Sequence, residues 1–269
     1  MNSKKAENKA NLLFKLLNNV QLEGTEASFK LSWKSFLQVR FLMGIRTKNL
    51  KINKLEKICT QLSIPKEYLI KIKQDFNKSN IILFGFEESE NNCIYKVYLE
   101  FWDQNFKIVQ NTSNPKNPLL QYIGFKWDAF DNLQRVITKY YSHPFIPVHS
   151  ILTRIENIFN HKSHKKVLDN SKAIVTYAMK RIDIIKDPFI YLEVLDNKGF
   201  RNSFDINLYE SELTIEDLKP YLYEIQKNFM ITNHPFRPFL EQISSKILGH
   251  LSGGFDKKGD AFLTFYYDI

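Results

Sequence analysis

The stretch from Thr25 to Met43 places the strongest constraint on the fold, because polar and apolar residues alternate in it through two strand-length runs. In the first run Glu26 and Lys30 share one face, whereas Phe29 and Leu31 share the other. Such alternation is typical of a β-strand whose two faces meet different surroundings. The stretch therefore predicts a β-hairpin with one polar and one apolar face.

The hairpin pattern recurs four more times along the chain. The predicted hairpins cover residues 25–43, 81–102, 119–142, 189–209 and 248–268. Apolar residues at helical spacing predict helices over residues 4–20, 50–61, 65–76, 148–160, 170–185, 214–229 and 236–247. Residues 103–118 contain two prolines and four asparagines, which predicts a loop with little regular structure.

About ten antiparallel strands without a parallel crossover exceed what an open, twisted sheet usually carries, so we expect the sheet to close. The predicted fold class is therefore α+β: a closed, antiparallel, ten-stranded β-barrel built from five ββ hairpins and surrounded by helices. Residues 1–269 form a single domain in this prediction. The helices would cover the apolar strand faces, and the polar faces would line a lumen wide enough to hold a ligand.

The composition is ordinary for a globular chain, with 43% hydrophobic and 25% charged residues among 269. No run approaches 18 consecutive apolar residues, and the polar, basic start of the chain has no apolar signal core after it. Cys59 and Cys93 lack metal-ligand spacing and suit a reducing compartment. We therefore expect a cytoplasmic protein that does not enter a membrane.

Histidines and basic residues raise two further possibilities. His149, His161 and His164 lack a matching set of carboxylates or cysteines, so we predict no metal ion held by protein side chains. The 38 Lys and Arg residues against 29 Asp and Glu give a net charge of +9, which points to an anionic partner. Because the basic residues are scattered, they do not form the stripe that nucleic-acid binding favours.

Strand alternation predicts which side chains face the lumen. The predicted lining comprises Glu26, Lys30, Arg40, Lys96, Tyr98, Arg135, Lys139, Tyr209 and Tyr266. Several confined cations require an anion, and a diphosphate suits Arg and Lys because its oxygens accept charge-assisted hydrogen bonds. Tyrosine rings stabilise a carbocation and keep water away from it, and a carboxylate accepts a proton from a nucleophile. Together these groups predict prenyl transfer from an allylic diphosphate.

Each predicted role has a structural alternative that the sequence leaves open. Glu26 could simply pair with Lys30, and Arg40 and Lys96 could be surface charges of an open sheet. For Lys139, Arg135, Tyr209 and Tyr266 a purely structural role explains the sequence equally well.

The opening hairpin resembles a known family. Residues 26–28 (Glu-Ala-Ser), Lys30 and residues 40–42 (Arg-Phe-Leu) are similar, at the same spacing, to the first hairpin of the cyanobactin-type peptide prenyltransferases, which are ABBA barrel prenyltransferases. The family often has His two residues after the lysine of the second hairpin, where this chain has Tyr98. Weaker similarities lie at Lys96, residues 123–125 and residues 266–267.

The resemblance implies a ten-stranded barrel of αββα repeats, an allylic donor such as dimethylallyl diphosphate, dependence on Mg²⁺ and a peptide acceptor. It also implies that Glu26 is the base and that Arg40 and Lys96 hold the diphosphate. The expected function is transfer of a dimethylallyl or geranyl group to a residue of a ribosomally made, cyclic peptide. Tyr98, Lys139 and Arg135 are further predicted diphosphate ligands, and Tyr209 and Tyr266 are the predicted cation shield.

We expect a monomer that binds neither nucleic acid nor a membrane. The alternative is a non-catalytic barrel that binds a phosphorylated or prenylated ligand, or a basic sheet protein that binds nucleic acid.

Overall fold

The structure is a computed structural model that describes residues 3–88, 92–112, 117–159, 165–183, 188–197, 199, 202–256 and 258–269. His161 and His164 lie outside the described residues, so the prediction made for them is not addressed.

Apart from one helix and one short strand, helices and strands follow one another in the order that the sequence predicts. The described strands are β1 (Gly24–Ser32), β2 (Ser35–Leu37), β3 (Arg40–Arg46), β4 (Ile81–Glu88), β5 (Cys93–Glu100), β6 (Leu119–Asp128), β7 (Arg135–Ser142), β8 (Tyr191–Asp196), β9 (Asn202–Asn207), β10 (Leu248–Phe255) and β11 (Ala261–Asp268). The described α-helices are α1 (Ser3–Leu17), α2 (Ile52–Gln61), α3 (Lys66–Phe76), α4 (Trp102–Asn111), α5 (Val148–Ile158), α6 (Lys165–Met179), α7 (Ile215–Asn228) and α8 (Asn233–Gln242). Short 3-10 turns lie at Thr47–Asn49 and Tyr209–Ser211.

The sheet closes on itself, which confirms the predicted barrel. Each strand pairs antiparallel with its neighbour in the order β11, β10, β9, β8, β7, β6, β5, β4, β3, β1, and β1 then pairs with β11. The closing pair aligns Ser28 with Tyr266 and Lys30 with Thr264. The short strand β2 pairs with the end of β1 and lies outside this ring of ten strands.

The apolar layers lie between the barrel wall and the helices. One cluster joins the outer faces of β1 and β8–β11 to α5–α8, with Phe29, Phe204 and Phe265 fully buried in it. A second cluster joins the outer faces of β3–β7 to α1–α3 and includes Phe84 and Trp127. Hydrophobic burial on the outside of the barrel leaves the opposite strand faces to line the lumen.

Two predicted elements differ from the structure. The segment predicted as a loop after β5 forms helix α4, because Trp102, Asn105 and Val109 recur at helical spacing and the latter two are buried. Asn105 is buried against the barrel wall, where its amide donates hydrogen bonds to Leu120 O at 3.0 Å and Gln121 Oε1 at 2.7 Å. Tyr209, predicted at the end of a strand, lies in the 3-10 turn after β9. Among the described residues, no helix has both the length and the apolarity of a membrane span.

Candidate active site

A cavity of about 340 Å³ lies in the barrel lumen. Glu26, Tyr98, Tyr209 and Tyr266, all predicted as site residues, line it. Its other lining residues include Glu23, Gly24, Glu100, Tyr122, Tyr140, Asp205 and His250.

A group of cations lies beyond this cavity and is held by one carboxylate. Arg40 on β3 faces Glu87 on β4, and its Nη1 is 2.8 Å from Glu87 Oε2. Lys96 on β5 binds the same oxygen. The Arg40 and Lys96 side chains are 8% and 7% exposed, so both charges are removed from bulk water. Lys126 on β6 is the direct neighbour of Lys96 and brings a third cation to this group.

Electrostatics keep the group charged. Burial alone would raise the pKa of Glu87, but Arg40, Lys96 and Lys126 together hold that pKa well below its usual value. Burial likewise opposes the charge of Arg40, but the Glu87 carboxylate, Tyr266 and Tyr98 together outweigh the effect of burial, so the pKa of Arg40 is raised. Arg40 and Lys96 thus bind one carboxylate, and Lys126 lies close enough to lower the pKa of that carboxylate further.

A layer of tyrosines separates the cations from the cavity. The Lys126 ammonium lies 5.6 Å from the centre of the Tyr98 ring and 5.9 Å from that of Tyr140, and it is 3.4 Å from the Tyr140 hydroxyl. Burial raises the pKa of Tyr98 well above its ordinary value, so the ring remains a neutral phenol. A Cβ at Gly124, opposite Tyr98, would lie 2.6 Å from the ring, so only glycine leaves the ring this position. Tyr266 on β11 completes the layer.

The carboxylate of Glu26 lies on the cavity side of the tyrosines. The Tyr209 hydroxyl donates a hydrogen bond of 2.6 Å to Glu26 Oε1, and His250 Nε2 is 3.8 Å from the same oxygen. His250 Nδ1 is in turn 2.8 Å from Asp205 Oδ1. Gly249 makes room for Tyr209, because a Cβ there would lie 2.5 Å from its ring.

A second carboxylate, that of Glu100, lies at the end of β5. Tyr122 donates a hydrogen bond of 2.8 Å to Glu100 Oε1, and the Asn80 amide lies 3.3 Å from Glu100 Oε2. Burial raises the pKa of Glu100 in spite of these two donors. The pKa of Tyr122 is raised well above its ordinary value, mainly by burial and secondly by the charge of Glu100.

The cavity reaches the protein surface at Glu23 and Gly24, which are exposed. Glu23 forms an ion pair with Arg46 there. A substrate larger than the cavity can therefore place one side chain inside while the rest stays outside.

Two predicted diphosphate ligands lie on the wrong face of the barrel wall. Arg135 Nε is 2.6 Å from Glu67 Oε1 on α3, outside the barrel. Lys139, on the same face of β7, is exposed to solvent. The lumen face of β7 carries Thr138 and Tyr140 instead, so the prediction that Arg135 and Lys139 face the lumen is wrong.

The sequence prediction missed several residues of the lumen. Lys126 could have been found, because it alternates with Gly124 and Tyr122 on one face of a predicted strand. Glu87, also absent from the predicted lining, lies near the end of β4. Other lining residues outside the predicted set include Glu100, Tyr122, Tyr140, Asp205 and His250.

The described residues contain no group of three His, Cys, Asp or Glu side chains placed to hold a metal ion. Glu87, the carboxylate nearest the cations, already binds Arg40 and Lys96. A metal site built from protein side chains therefore does not fit the described part of the lumen, and no chemical step is assigned to a metal.

Comparison with solved structures identifies the fold. The chain is similar to 5-dimethylallyltryptophan synthase from Streptomyces coelicolor, with a TM-score of 0.66, 8% identity, and coverage of 99% of this chain and 92% of the other. The ten-stranded barrel with its surrounding helices thus matches a prenyltransferase barrel over nearly its full length. This chain has the ABBA barrel fold.

Other structures with this fold carry ligands. A 6-dimethylallyltryptophan synthase from Micromonospora olivasterospora in complex with DMASPP and Trp has a TM-score of 0.57 at 10% identity, covering 91% of this chain and 82% of the other. NotF in complex with brevianamide F and DMSPP has a TM-score of 0.52 at 11% identity, covering 91% and 79%. No protein-family profile and no curated protein sequence matches the chain.

Proposed function

We propose that this chain transfers a prenyl group from an allylic diphosphate to a nucleophilic residue of a peptide. The observation that carries the proposal is the order of groups along the lumen: buried cations, then tyrosines, then a carboxylate that faces an open cavity. The ligands named for structures of the same fold, DMASPP with Trp and DMSPP with brevianamide F, support it.

The cation group binds and activates the donor in this proposal. Arg40, Lys96 and Lys126 bind the diphosphate and stabilise the negative charge that develops on it as the allylic C–O bond breaks. The bonding electron pair leaves with the diphosphate. Lys126 also contacts the tyrosine layer, so the ionising carbon would lie between these cations and the cavity.

The tyrosines protect the allylic cation. Tyr98, Tyr140 and Tyr266 present ring faces and edges to the space above the cations, where an electron-rich ring attracts a carbocation. Burial keeps the Tyr98 phenol protonated, so it does not itself become the nucleophile. Exclusion of water by these rings prevents hydrolysis of the cation.

Glu26 removes the proton from the acceptor. As the new bond between the allylic carbon and the acceptor atom forms, the acceptor's proton passes to the Glu26 carboxylate. Its hydrogen bond from Tyr209 fixes the carboxylate toward the cavity. The side chains present fit a neutral nucleophile that carries an N–H or O–H group.

The open end of the cavity supports a peptide acceptor over a free amino acid. Glu23 and Gly24 leave the end beside Glu26 open to solvent, so the rest of a macrocycle can remain outside. We include in the proposal the cyanobactin-type class of acceptor, a ribosomally made cyclic peptide. Mg²⁺ enters the proposal only as a counter-ion of the diphosphate, since Mg²⁺ is often bound through substrate phosphates.

Mass spectrometry tests this proposal. The purified chain is incubated with dimethylallyl or geranyl diphosphate and a panel of linear and cyclic peptides, with Mg²⁺ or with EDTA. We expect a gain of one prenyl unit on an acceptor peptide. Release of prenyl alcohol without transfer to any acceptor would limit the chain to donor hydrolysis, and binding of donor without turnover would make it a non-catalytic binding protein.

A further inference from the structure

We infer that His250, oriented by Asp205, takes up the proton that Glu26 removes from the acceptor. The inference rests on the proposed function and adds a second proton-accepting residue to it. His250 lies between two carboxylates, with Nδ1 2.8 Å from Asp205 Oδ1 and Nε2 3.8 Å from Glu26 Oε1.

The contact with Asp205 determines which imidazole nitrogen accepts a proton. An ionised carboxylate can only accept a hydrogen bond, so the short contact assigns the hydrogen of the neutral ring to Nδ1. Nε2 then carries the lone pair, and it is the nitrogen nearer to Glu26. The 3.8 Å separation is too long for a hydrogen bond, so the two groups are neighbours that a small rotation brings together.

Tyr209 cannot fill this role, although it is closer to Glu26. Its hydroxyl already donates to Glu26 Oε1, and burial, followed by the Glu26 charge, raises its pKa. A protonated phenol has no capacity for a second proton. Of the two side chains found next to the Glu26 carboxylate, His250 is therefore the one that can accept its proton.

Charged and titratable groups around His250 stabilise the imidazolium that forms when the ring accepts the proton. Asp205 faces the ring from β9 and Glu26 faces it from β1. Glu100 on β5 also interacts with it, because positive charge on His250 lowers the pKa of Glu100. The Tyr209 and Tyr266 rings pack edge-on against it, with centroids at 5.7 Å and 5.9 Å. Two carboxylates within 4 Å stabilise positive charge on the ring.

The proton transfer balances without a further reactant. The allylic C–O bond breaks and its electron pair leaves with diphosphate, while the carbon–acceptor bond forms and Glu26 receives the acceptor's proton. Glu26 then passes this proton to His250 Nε2, which regenerates the carboxylate and forms an imidazolium beside Asp205. The imidazolium returns the proton to water through the open end of the cavity.

The test compares His250→Gln and Asp205→Asn with wild-type protein, and with His149→Gln as a matched control on an exposed histidine of α5. Rates of acceptor prenylation are measured from about pH 5 to about pH 9, together with KM for the donor. We expect His250→Gln to lower kcat by ~10-fold or more, to leave donor KM unchanged, and to remove one ionisation from the pH profile. Asp205→Asn should lower kcat less than His250→Gln does and should shift the pH at which that ionisation occurs. His149→Gln should behave as wild type.

Chemical rescue separates proton transfer from a structural role. Added imidazole should restore part of the rate of His250→Ala and should not affect His250→Gln, whose side chain fills the space. A wild-type pH profile for His250→Gln would overturn the inference while leaving the proposed function intact. If His250→Gln shows no cooperative thermal transition, and so does not fold, Asp205→Asn becomes the test. An unchanged kcat at every pH in Asp205→Asn would also overturn the inference. Absence of prenylation by wild-type protein, in contrast, would refute the proposed function itself.

Discussion

At the scale of single residues, Glu26 has the most specific surroundings in the lumen. It accepts a hydrogen bond from Tyr209, lies next to His250 and faces the cavity. The Lys30 ammonium lies 4.5 Å from the centre of the Phe262 ring, and a simple pair of Glu26 with Lys30 does not account for the contacts of Glu26 with Tyr209 and His250. The Glu26 carboxylate is thus available to a substrate.

Glu26→Gln should lower kcat for acceptor prenylation by ~10²–10⁴-fold, because the amide cannot take up a proton. Tyr209→Phe removes one hydrogen bond to the carboxylate and should lower kcat by about tenfold or less. Donor binding, measured by calorimetry, should be unchanged in both variants. Equal rate losses in the two variants would indicate that Glu26 positions the substrate and does not act as the base.

Glu100 leads to a prediction about stability and pH. Its pKa is raised above the ordinary 4.5 by burial, so the folded chain binds this proton more tightly than the unfolded chain. Its contribution to the free energy of unfolding is therefore fully present below pH 4.5 and is lost as the pH rises through the folded pKa. Glu100→Gln cannot ionise, and its amide can still accept from Tyr122 and donate to Asn80 Oδ1, which has no hydrogen-bond partner in the described structure.

Urea denaturation measures this effect. The Glu100→Gln variant should gain stability relative to wild type at pH 8, and this gain should shrink as the pH approaches 4.5. A difference between the two proteins that is independent of pH would contradict the assigned burial of an ionising carboxyl. Asp131→Asn, on the loop before β7, serves as a control.

At the scale of secondary-structure elements, the alternation of polar and apolar residues predicted the positions of the strands well. It predicted less well which face of each strand points into the barrel. In β1 and β5 the polar face is the lumen face, as the simple rule assumes, and Glu26, Lys96 and Tyr98 lie there. In β7 the rule fails, because Arg135 reaches Glu67 on a helix outside. No local pattern within β7 reveals which helix covers it, so the inward face depends on packing that a single strand does not encode.

Helix α4 shows the same limit in another form. Its asparagines favour turns in isolation, yet buried Asn105 hydrogen-bonds to Gln121 and stabilises the helix against β6. Such a long-range contact overrides the local preference. The acidic and histidine residues of the cavity, Asp205 and His250, were missed for the same reason, since they meet only when β9 and β10 pair.

Lys126 and Lys139 provide a direct test of the strand faces. Both are lysines on the same hairpin, but Lys126 faces the tyrosines of the lumen and Lys139 faces solvent. Lys126→Ala should raise KM for the donor by about tenfold, the contribution of one charge-assisted contact, whereas Lys139→Ala should leave it unchanged. Steady-state kinetics with varied donor concentration measure both. A larger effect from Lys139→Ala would reverse the assignment of faces.

At the scale of the whole molecule, closure of the ring brings distant parts of the sequence to one site. Strand β1 pairs with β11, so Ser28 lies beside Tyr266 across nearly the full length of the chain. Arg40 Nε lies 3.3 Å from Ser28 Oγ, and through this contact the first hairpin connects to the last strand. Barrel closure, predicted from the number of strands, is thus also what completes the tyrosine layer.

Closure also encloses the charges of Arg40, Lys96 and Lys126 in the barrel, although the net charge of +9 is spread over the whole chain. Inorganic pyrophosphate should therefore bind in the lumen and stabilise the folded chain, since a ligand of the folded state alone adds ~2.7 kcal/mol at 100 times its Kd. For a domain of this size that corresponds to a rise in Tm of about 5–10 °C. Lys96→Ala and Lys126→Ala should reduce the rise, and Lys139→Ala should retain it. A nucleic-acid-binding protein would behave differently: oligonucleotides would raise Tm in a strongly salt-dependent way, and all three lysine variants would retain the effect of pyrophosphate.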